Sequence, residues 1–314
     1  MRIMVAALLL LAAAAPAAGA PWLSRAAWPQ RAPRTGIAAW LACSLSVVVS
    51  LVLAGLVLAI PCVQLSTDPA VVHACLSLLR AQYASPAGAV TGMAGGLLAA
   101  AVAGRVAWAC SSVLAAARRR RSTHDNVLAV IAKPGPAADV RIIDGDRPAV
   151  YCLPGRRRIV LTTGALTRLD DGELDAVLAH ERAHLSGRHH IVLALALALQ
   201  RAFPPVGFFA VAARQVAYLV EIAADDAAVR RAPRLTVASA LLAVATAGVP
   251  AGTLGASGSA AAQRIQRLID PPPQDSRARR AVTYAALTTA AALATVAFAV
   301  AFVTITKCPP TPHF

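Results

Sequence analysis

Long apolar stretches alternate with basic and polar segments along this chain. A helix needs about 20 apolar residues to cross a bilayer. The pattern therefore predicts four membrane spans, at residues 3–20, 37–61, 88–117 and 282–306. The predicted organisation is a membrane unit at 1–117, a polar domain at 118–280, and a last span with a short tail at 281–314.

Within the polar domain, the sequence pattern changes from that of short strands to that of a helix. Short runs bounded by turn residues predict strands at 140–143, 149–153 and 158–163. A helix follows over 171–186, because Asp170 is suited to the N-cap and Glu173 completes a capping box. The expected fold class is an α-helical integral membrane protein whose polar domain is α+β, with a small sheet and one central helix.

Composition agrees with a membrane protein. The chain is 58% hydrophobic and 14% charged, whereas soluble domains are about 25% charged. Its net charge of +15 comes largely from arginine clusters beside the apolar stretches, around Arg25 to Arg34, Arg118 to Arg121 and Arg277 to Arg280. Basic residues next to spans follow the positive-inside rule. No nucleic-acid recognition motif accompanies the charge, so direct nucleic-acid binding is not expected.

The arginine clusters also predict an orientation. An N-terminus outside the cell (plasma) membrane places all three clusters, and the domain 118–280, in the cytoplasm. The alternative is that residues 1–20 are a cleaved signal peptide, but this would place Arg118–Arg121 outside. The sequence leaves open whether Cys62 and Cys75 form a disulfide or remain free thiols. It contains no C-x-x-C pair.

Small residues recur at every fourth position of the third span. Gly88, Gly92, Gly96, Ala100 and Gly104 would let another helix approach closely, as in a packing seam or a homodimer face. High glycine and alanine content alone is the other explanation.

The sequence His180-Glu181-Arg182-Ala183-His184 is an HExxH motif in the predicted helix. Residues four apart share a helix face, so both imidazoles can bind one Zn²⁺ ion. Zinc lowers the pKa of its water to about 7, and Glu181, beside the first histidine, is placed to act as general base.

A third ligand is required, and Glu221 is the strongest candidate. The chain has three glutamates, of which Glu173 is used in a cap and Glu181 as a base. Asp225 lies one turn beyond Glu221 and can accept a hydrogen bond from a ligating imidazole. His190 is the rival, since HExxHxxGxxH resembles metzincins, but the methionine turn these require cannot form because every methionine lies upstream.

Residues 191–213 are apolar enough to suggest another span. A single crossing would separate Glu221 from His180, which zinc–ligand bonds of about 2 Å forbid. The stretch is therefore predicted to be a membrane-proximal hairpin, either buried or shallowly re-entrant.

The motifs His180–His184 and Glu221-x-x-Ala224-Asp225, with flanking spans, resemble membrane gluzincins. The spacing and the pair Asp225-Asp226 resemble the BlaR/MecR type more closely than the HtpX type. The resemblance implies a cytoplasmic zincin-like metalloprotease domain, one zinc per chain, and a protein substrate such as a BlaI/MecI-like transcriptional repressor. No penicillin-binding domain follows the last span in this sequence, so direct β-lactam sensing is not expected.

The resemblance also suggests a substrate-binding strand. If 158–163 is a sheet edge, a peptide could add along Ile159, Val160, Leu161 and Thr162. Regulatory proteolysis is the first expected function. The alternatives are HtpX-like membrane quality control and a non-catalytic zinc-containing sensor.

Overall fold

The structure, a computed structural model, describes residues 2–60, 69–154, 157–247 and 256–271. The helices are α1 (Arg2–Arg25), α2 (Trp28–Arg31), α3 (Pro33–Ala59), α4 (Pro69–Ala84), α5 (Pro86–Ile131), α6 (Thr163–Arg168), α7 (Asp171–Ser186), α8 (His189–Ala202), α9 (Gly207–Ala228), α10 (Arg234–Ala247) and α11 (Ala256–Ile269). The strands are β1 (Lys133–Pro134), β2 (Val140–Ile143), β3 (Val150–Leu153) and β4 (Arg158–Thr162).

Among the described residues, four helices are long and apolar enough to cross a membrane, namely α1, α3, α5 and α9. Helices α1 and α5 contain the stretches predicted at 3–20 and 88–117, and α3 includes residues 37–59 of the stretch predicted at 37–61. Helix α5 continues through the basic run to Ile131. Arginine is a good helix former, and no helix breaker occurs before Pro134. The span predicted at 282–306 lies outside the described residues, as does Cys62.

The small-residue face of α5 packs against α3, but in a different register from the predicted one. A Cβ added to Gly55 would lie 2.5 Å from the carbonyl oxygen of Gly95, so the two backbones touch. Nothing lies within 4 Å of a Cβ added to Gly104. A strict four-residue repeat drifts around a helix of 3.6 residues per turn, whereas Gly92, Gly95 and Ala99 stay on one face. Within the described residues this seam joins two helices of one chain.

The sheet has the order β1-β2-β4-β3. Strand β4 pairs in parallel with β2 and antiparallel with β3. Helix α7 covers one face, where Ile159 and Leu161 pack against Leu178. On the other face, Val160 packs against Leu128 at the end of α5. The predicted strands at 140–143 and 158–163 are confirmed to within one residue.

The prediction that β4 is a sheet edge is wrong. Its residues Ile159, Val160 and Leu161 are fully buried, and Thr162 is nearly so. A strand with consecutive apolar residues needs cover on both faces, which α7 and the end of α5 provide for β4. Strand β3 is the edge beside α7, and these four residues therefore cannot accept an added peptide strand.

The apolar stretch after the HExxH helix forms two packed helices, α8 and α9, joined at residues 203–206. They form a common core with the apolar helices α1 and α3, in which Trp40, Leu199 and Phe209 are almost completely buried. Arg105, in the middle of α5, donates a hydrogen bond from Nε to the carbonyl oxygen of Ala202 at 2.7 Å. This bond satisfies a carbonyl at the C-terminal end of α8.

Candidate metal centre

Helix α7 is fixed at its N-terminal end and along its side. The predicted capping box is confirmed, since Asp170 accepts from the backbone N–H of Glu173 and Glu173 accepts from that of Asp170. Glu173 also accepts a hydrogen bond from Ser239 on α10. Farther along, Arg182 forms a two-bond ion pair with Asp139, at 2.8 and 3.0 Å, just before β2. The HExxH residues therefore lie on a helix held to the sheet and to α10.

The structure brings His180, His184 and Glu221 together. The two Nε2 atoms of the histidines are 3.1 Å apart. Glu221 Oε2 lies 3.6 Å from His180 Nε2, and Oε1 lies 3.5 Å from His184 Nε2. Among the described residues, these form the group that could hold a metal ion.

The spacing of these donors fits a small tetrahedral ion. Two ligands that bind zinc at about 2.0–2.1 Å in tetrahedral geometry are separated by about 3.3 Å. The three donor pairs, at 3.1, 3.5 and 3.6 Å, lie around this value. Two imidazoles and one carboxylate are also a donor set that zinc prefers, with a fourth position left for water or substrate.

Each imidazole is oriented by a hydrogen bond on its far nitrogen. His180 Nδ1 lies 3.0 Å from Asp225 Oδ1, and His184 Nδ1 lies 3.0 Å from His189 Nδ1. Both contacts leave Nε2 directed at the common centre. His189, the first residue of α8, is buried beside the HExxH helix.

Arg264 connects the carboxylates on α9 to α11. Its guanidinium contacts Glu221 Oε2 at 2.9 Å and both carboxylate oxygens of Asp225 at 2.7 Å. One turn farther along α11, Arg267 makes the equivalent two-bond pair with Asp226. The two acidic residues that follow Glu221 are therefore each held by one arginine of α11.

Glu181 points toward the sheet edge. Cys152 on β3 donates hydrogen bonds to its carboxylate from the thiol and from the backbone N–H. Burial raises the pKa of Glu181, although the nearby His180 opposes the shift. Burial and the adjacent Glu181 raise the pKa of the Cys152 thiol to about 12, so it stays protonated at neutral pH.

The two histidines differ in their electrostatics. Burial would lower the pKa of His180, but hydrogen bonds to Asp225 and Glu221 outweigh it and raise this pKa to about 9. Burial, together with the charge of His180, lowers the pKa of His184 to about 4. Because a metal binds neutral imidazole, an ion entering this centre must displace the proton of His180, and metal affinity should fall in acid.

The other predicted site residues lie elsewhere. Ile159, Val160, Leu161 and Thr162 are in the sheet interior and do not line the centre. His190, the rival ligand, is outside the group of three donors. Its Nδ1 is buried and has no hydrogen-bond partner within the described part of the chain.

Sequence reasoning missed three residues around this centre, namely His189, Arg264 and Cys152. His189 follows His184 by five residues across a helix break, where Arg188 is left-handed, so helical spacing cannot place it. Arg264 and Cys152 come from distant segments. The local signal for Arg264 is its position three residues before Arg267. Residues at this spacing share one face of a helix, so both arginines can reach the adjacent Asp225 and Asp226 on α9.

Part of the chain matches a known protein family. Residues 115–217 match the family model described as Peptidase family M48. The matched range contains the whole HExxH helix and ends four residues before Glu221. No curated protein and no solved structure matches the chain. The family match supports a metallopeptidase, a hydrolase that acts on protein substrates, and the long apolar helices support membrane association.

Proposed function

We propose that this chain is a zinc-dependent endopeptidase embedded in the membrane. The main support is the arrangement of His180, His184 and Glu221, whose donor atoms lie within 4.8 Å of one another. Glu181 adjoins this centre, and a site that only clamped a structural metal would not need that carboxylate. When bound, zinc supplies Lewis acidity toward the scissile carbonyl and acidifies water.

The residues around the metal then have separate roles. His180, His184 and Glu221 hold the ion, and Asp225 and His189 orient the two imidazoles. Glu181 takes a proton from the attacking water and delivers it to the leaving amine. Its raised pKa suits both halves of this transfer, because an effective general base has a pKa near the working pH.

The substrate would add to β3 in place of the β4 residues first predicted. Thr162 N donates to Ala149 O at 3.1 Å, so Ala149 belongs to a hydrogen-bonded pair of the antiparallel ladder. Hydrogen-bonded and non-hydrogen-bonded pairs alternate along an antiparallel strand. Val150 and Cys152 therefore belong to non-hydrogen-bonded pairs, and their N–H and C=O groups point away from β4, toward the free edge. The hydrogen bond from Cys152 N–H to Glu181 agrees with this direction.

A Val150→Pro substitution tests this mode of binding. Proline removes an edge-facing N–H without breaking the ladder. Cleavage of extended peptides should fall while zinc content is unchanged. Undiminished cleavage would rule out β3 as the docking strand.

The metal site is tested by zinc content per chain in detergent-purified protein. Wild type should hold one zinc, Glu221→Ala should lose it, and His190→Ala should keep it. Glu181→Gln should keep zinc but lose about 10²- to 10⁴-fold in turnover. Zinc that is lost with His190→Ala and kept with Glu221→Ala would identify His190 as the third ligand.

The regulatory role is the finer part of this proposal, and it rests on the BlaR/MecR resemblance. Such a protease should cleave a BlaI/MecI-like repressor at one or few sites when the two are co-expressed, and Glu181→Gln should not. Degradation of unrelated misfolded membrane proteins would favour HtpX-like quality control. Full zinc content without cleavage of any protein would favour a non-catalytic sensor.

A further inference from the structure

A small cavity adjoins the proposed metal centre. Its volume is about 190 Å³, and its lining includes His180, Glu181 and Glu221 at one end. Ligand pockets for drug-sized molecules are about 300 Å³ or more, so this space is too small for a whole ligand. An aliphatic cavity of about 150 Å³ holds one benzene ring, so there is room here for one substrate side chain.

The apolar walls of the cavity come from three elements. Helix α10 contributes Val237, Ala240, Leu241 and Val244, which recur at three- and four-residue spacing and therefore form one helix face. Helix α7 contributes Ala176 and Val177, the turn before the HExxH residues. Strand β3 contributes Val150, at the free edge of the sheet.

The polar groups lining the cavity belong to the centre already described. Besides His180, Glu181 and Glu221, they are Asp225 and Arg264. These two form an ion pair with each other, Asp225 contacts His180, and Arg264 contacts Glu221. A side chain that entered the apolar part would leave its own backbone beside Glu181. The cavity is thus apolar where a side chain would sit and polar where a peptide bond would react.

We propose that this cavity selects substrates with one branched aliphatic residue next to the scissile bond, and that Leu241 and Ala240 set its size. The proposal rests on the peptidase function proposed above and names its substrate class. A peptide paired with β3 places alternate side chains on the face that carries Val150. One of them can therefore enter the cavity while the backbone passes the metal centre.

The first test compares cleavage of peptides that differ only in one residue beside the scissile bond. Wild type should favour leucine over glycine by about tenfold or more in kcat/KM. Leu241→Ala enlarges the cavity and should reduce that ratio at least about threefold while improving the relative rate for phenylalanine. Ala240→Leu fills the cavity and should remove the leucine preference while glycine peptides are still cleaved.

Leu242→Ala is the matched control. Leu242 is the neighbour of Leu241 on α10, but half of it is exposed and it does not line the cavity. The leucine-to-glycine ratio should be unchanged in this variant. An equal change in both variants, or no side-chain preference in wild type, would overturn the proposal while the peptidase function stands.

A binding measurement tests the cavity assignment separately from the peptidase function. Two small hydroxamates that differ only in an isobutyl side chain are titrated into zinc-loaded Glu181→Gln protein. The isobutyl compound should bind about tenfold more tightly, and adding Leu241→Ala should remove at least about threefold of this advantage. If no peptide is cleaved but this pattern is seen, the cavity assignment holds and the peptidase function fails. Equal affinity of the two compounds would overturn the cavity assignment.

Discussion

At the scale of single residues, Asp225 links His180 of the candidate metal centre to Arg264 on α11. It is 2% exposed, accepts from His180 Nδ1, and receives two hydrogen bonds from Arg264. Its neighbour Asp226 makes a similar arginine pair with Arg267 but has no contact with the histidines. The two aspartates therefore share an arginine pair but differ in burial and in the contact with His180.

Asp225→Asn should weaken zinc binding about 10- to 100-fold, because the amide is a poorer partner for the imidazole N–H of His180. The measurement is competition for zinc with a chelator of known affinity, in detergent-purified protein. Asp226→Asn removes an equivalent arginine pair and should leave zinc affinity within about threefold of wild type. Equal losses in the two variants would mean that the arginine pairs, and not the bond to His180, control zinc affinity.

Residue types and local spacing are sufficient to propose the donor set. The four-residue spacing of His180 and His184 needs only a helix, and Glu221 and Asp225 share a face for the same reason. Arg264 could not be found in this way. It lies 39 residues beyond Asp225, and only the packing of α11 on the rest of the domain brings it there.

At the scale of elements, the hairpin of α8 and α9 ties the protease centre to the apolar helices. Helix α9 carries Phe209 into the core shared with α3, and its other end carries Glu221. Arg105 meets the C-terminal end of α8 about 20 Å along α5 from Arg118. If Arg118 marks the membrane surface, the hairpin reaches about two-thirds of the way through a hydrocarbon core of about 30 Å.

Arg105→Met should destabilise the protein by about 1–3 kcal/mol, because the carbonyl of Ala202 loses its donor in an apolar setting. Methionine keeps most of the apolar stem of the side chain. Thermal unfolding in detergent gives the comparison, and Arg119→Met, at the exposed end of α5, should change stability by less than about 0.5 kcal/mol. Identical stability of the two variants would show that the Arg105 bond does not hold the hairpin.

Strand pairing shows where element-level reasoning fails. Strands β2 and β4 and helix α7 could be read from turn residues, alternation and a capping box, all of which are local. Which strand forms the edge depends on the order in which strands pair. The unbroken apolar run of β4 was a usable signal for a strand covered on both faces, and such strands are typical of the interior of a parallel sheet.

At the scale of the whole molecule, apolar helices and a polar peptidase domain share one chain. The four long apolar helices indicate membrane association. The basic residues at Arg118–Arg121 predict that the domain after α5 faces the cytoplasm and that α4, between α3 and α5, lies outside.

Cysteine labelling in intact cells tests this orientation. Ser77 on α4 and Ser186 on α7 are both exposed, so cysteine at either position should be reactive once accessible. A membrane-impermeant maleimide should label Ser77→Cys in intact cells and Ser186→Cys only after permeabilisation, with wild type as the background. The opposite pattern would place the protease centre outside the cell.

The sequence by itself indicated which residues could bind a metal, where the apolar helices α1, α3 and α5 lie, and which helix carries the HExxH motif. These features depend on residue type, on a period of 3.6 and on local caps, all of which act over a few residues. Only the tertiary structure decided that β3 is the edge, that the tight seam of α5 faces α3, and that Arg264 and His189 support the metal centre. These depend on contacts between segments far apart in the chain or across a break between helices, which local patterns do not encode.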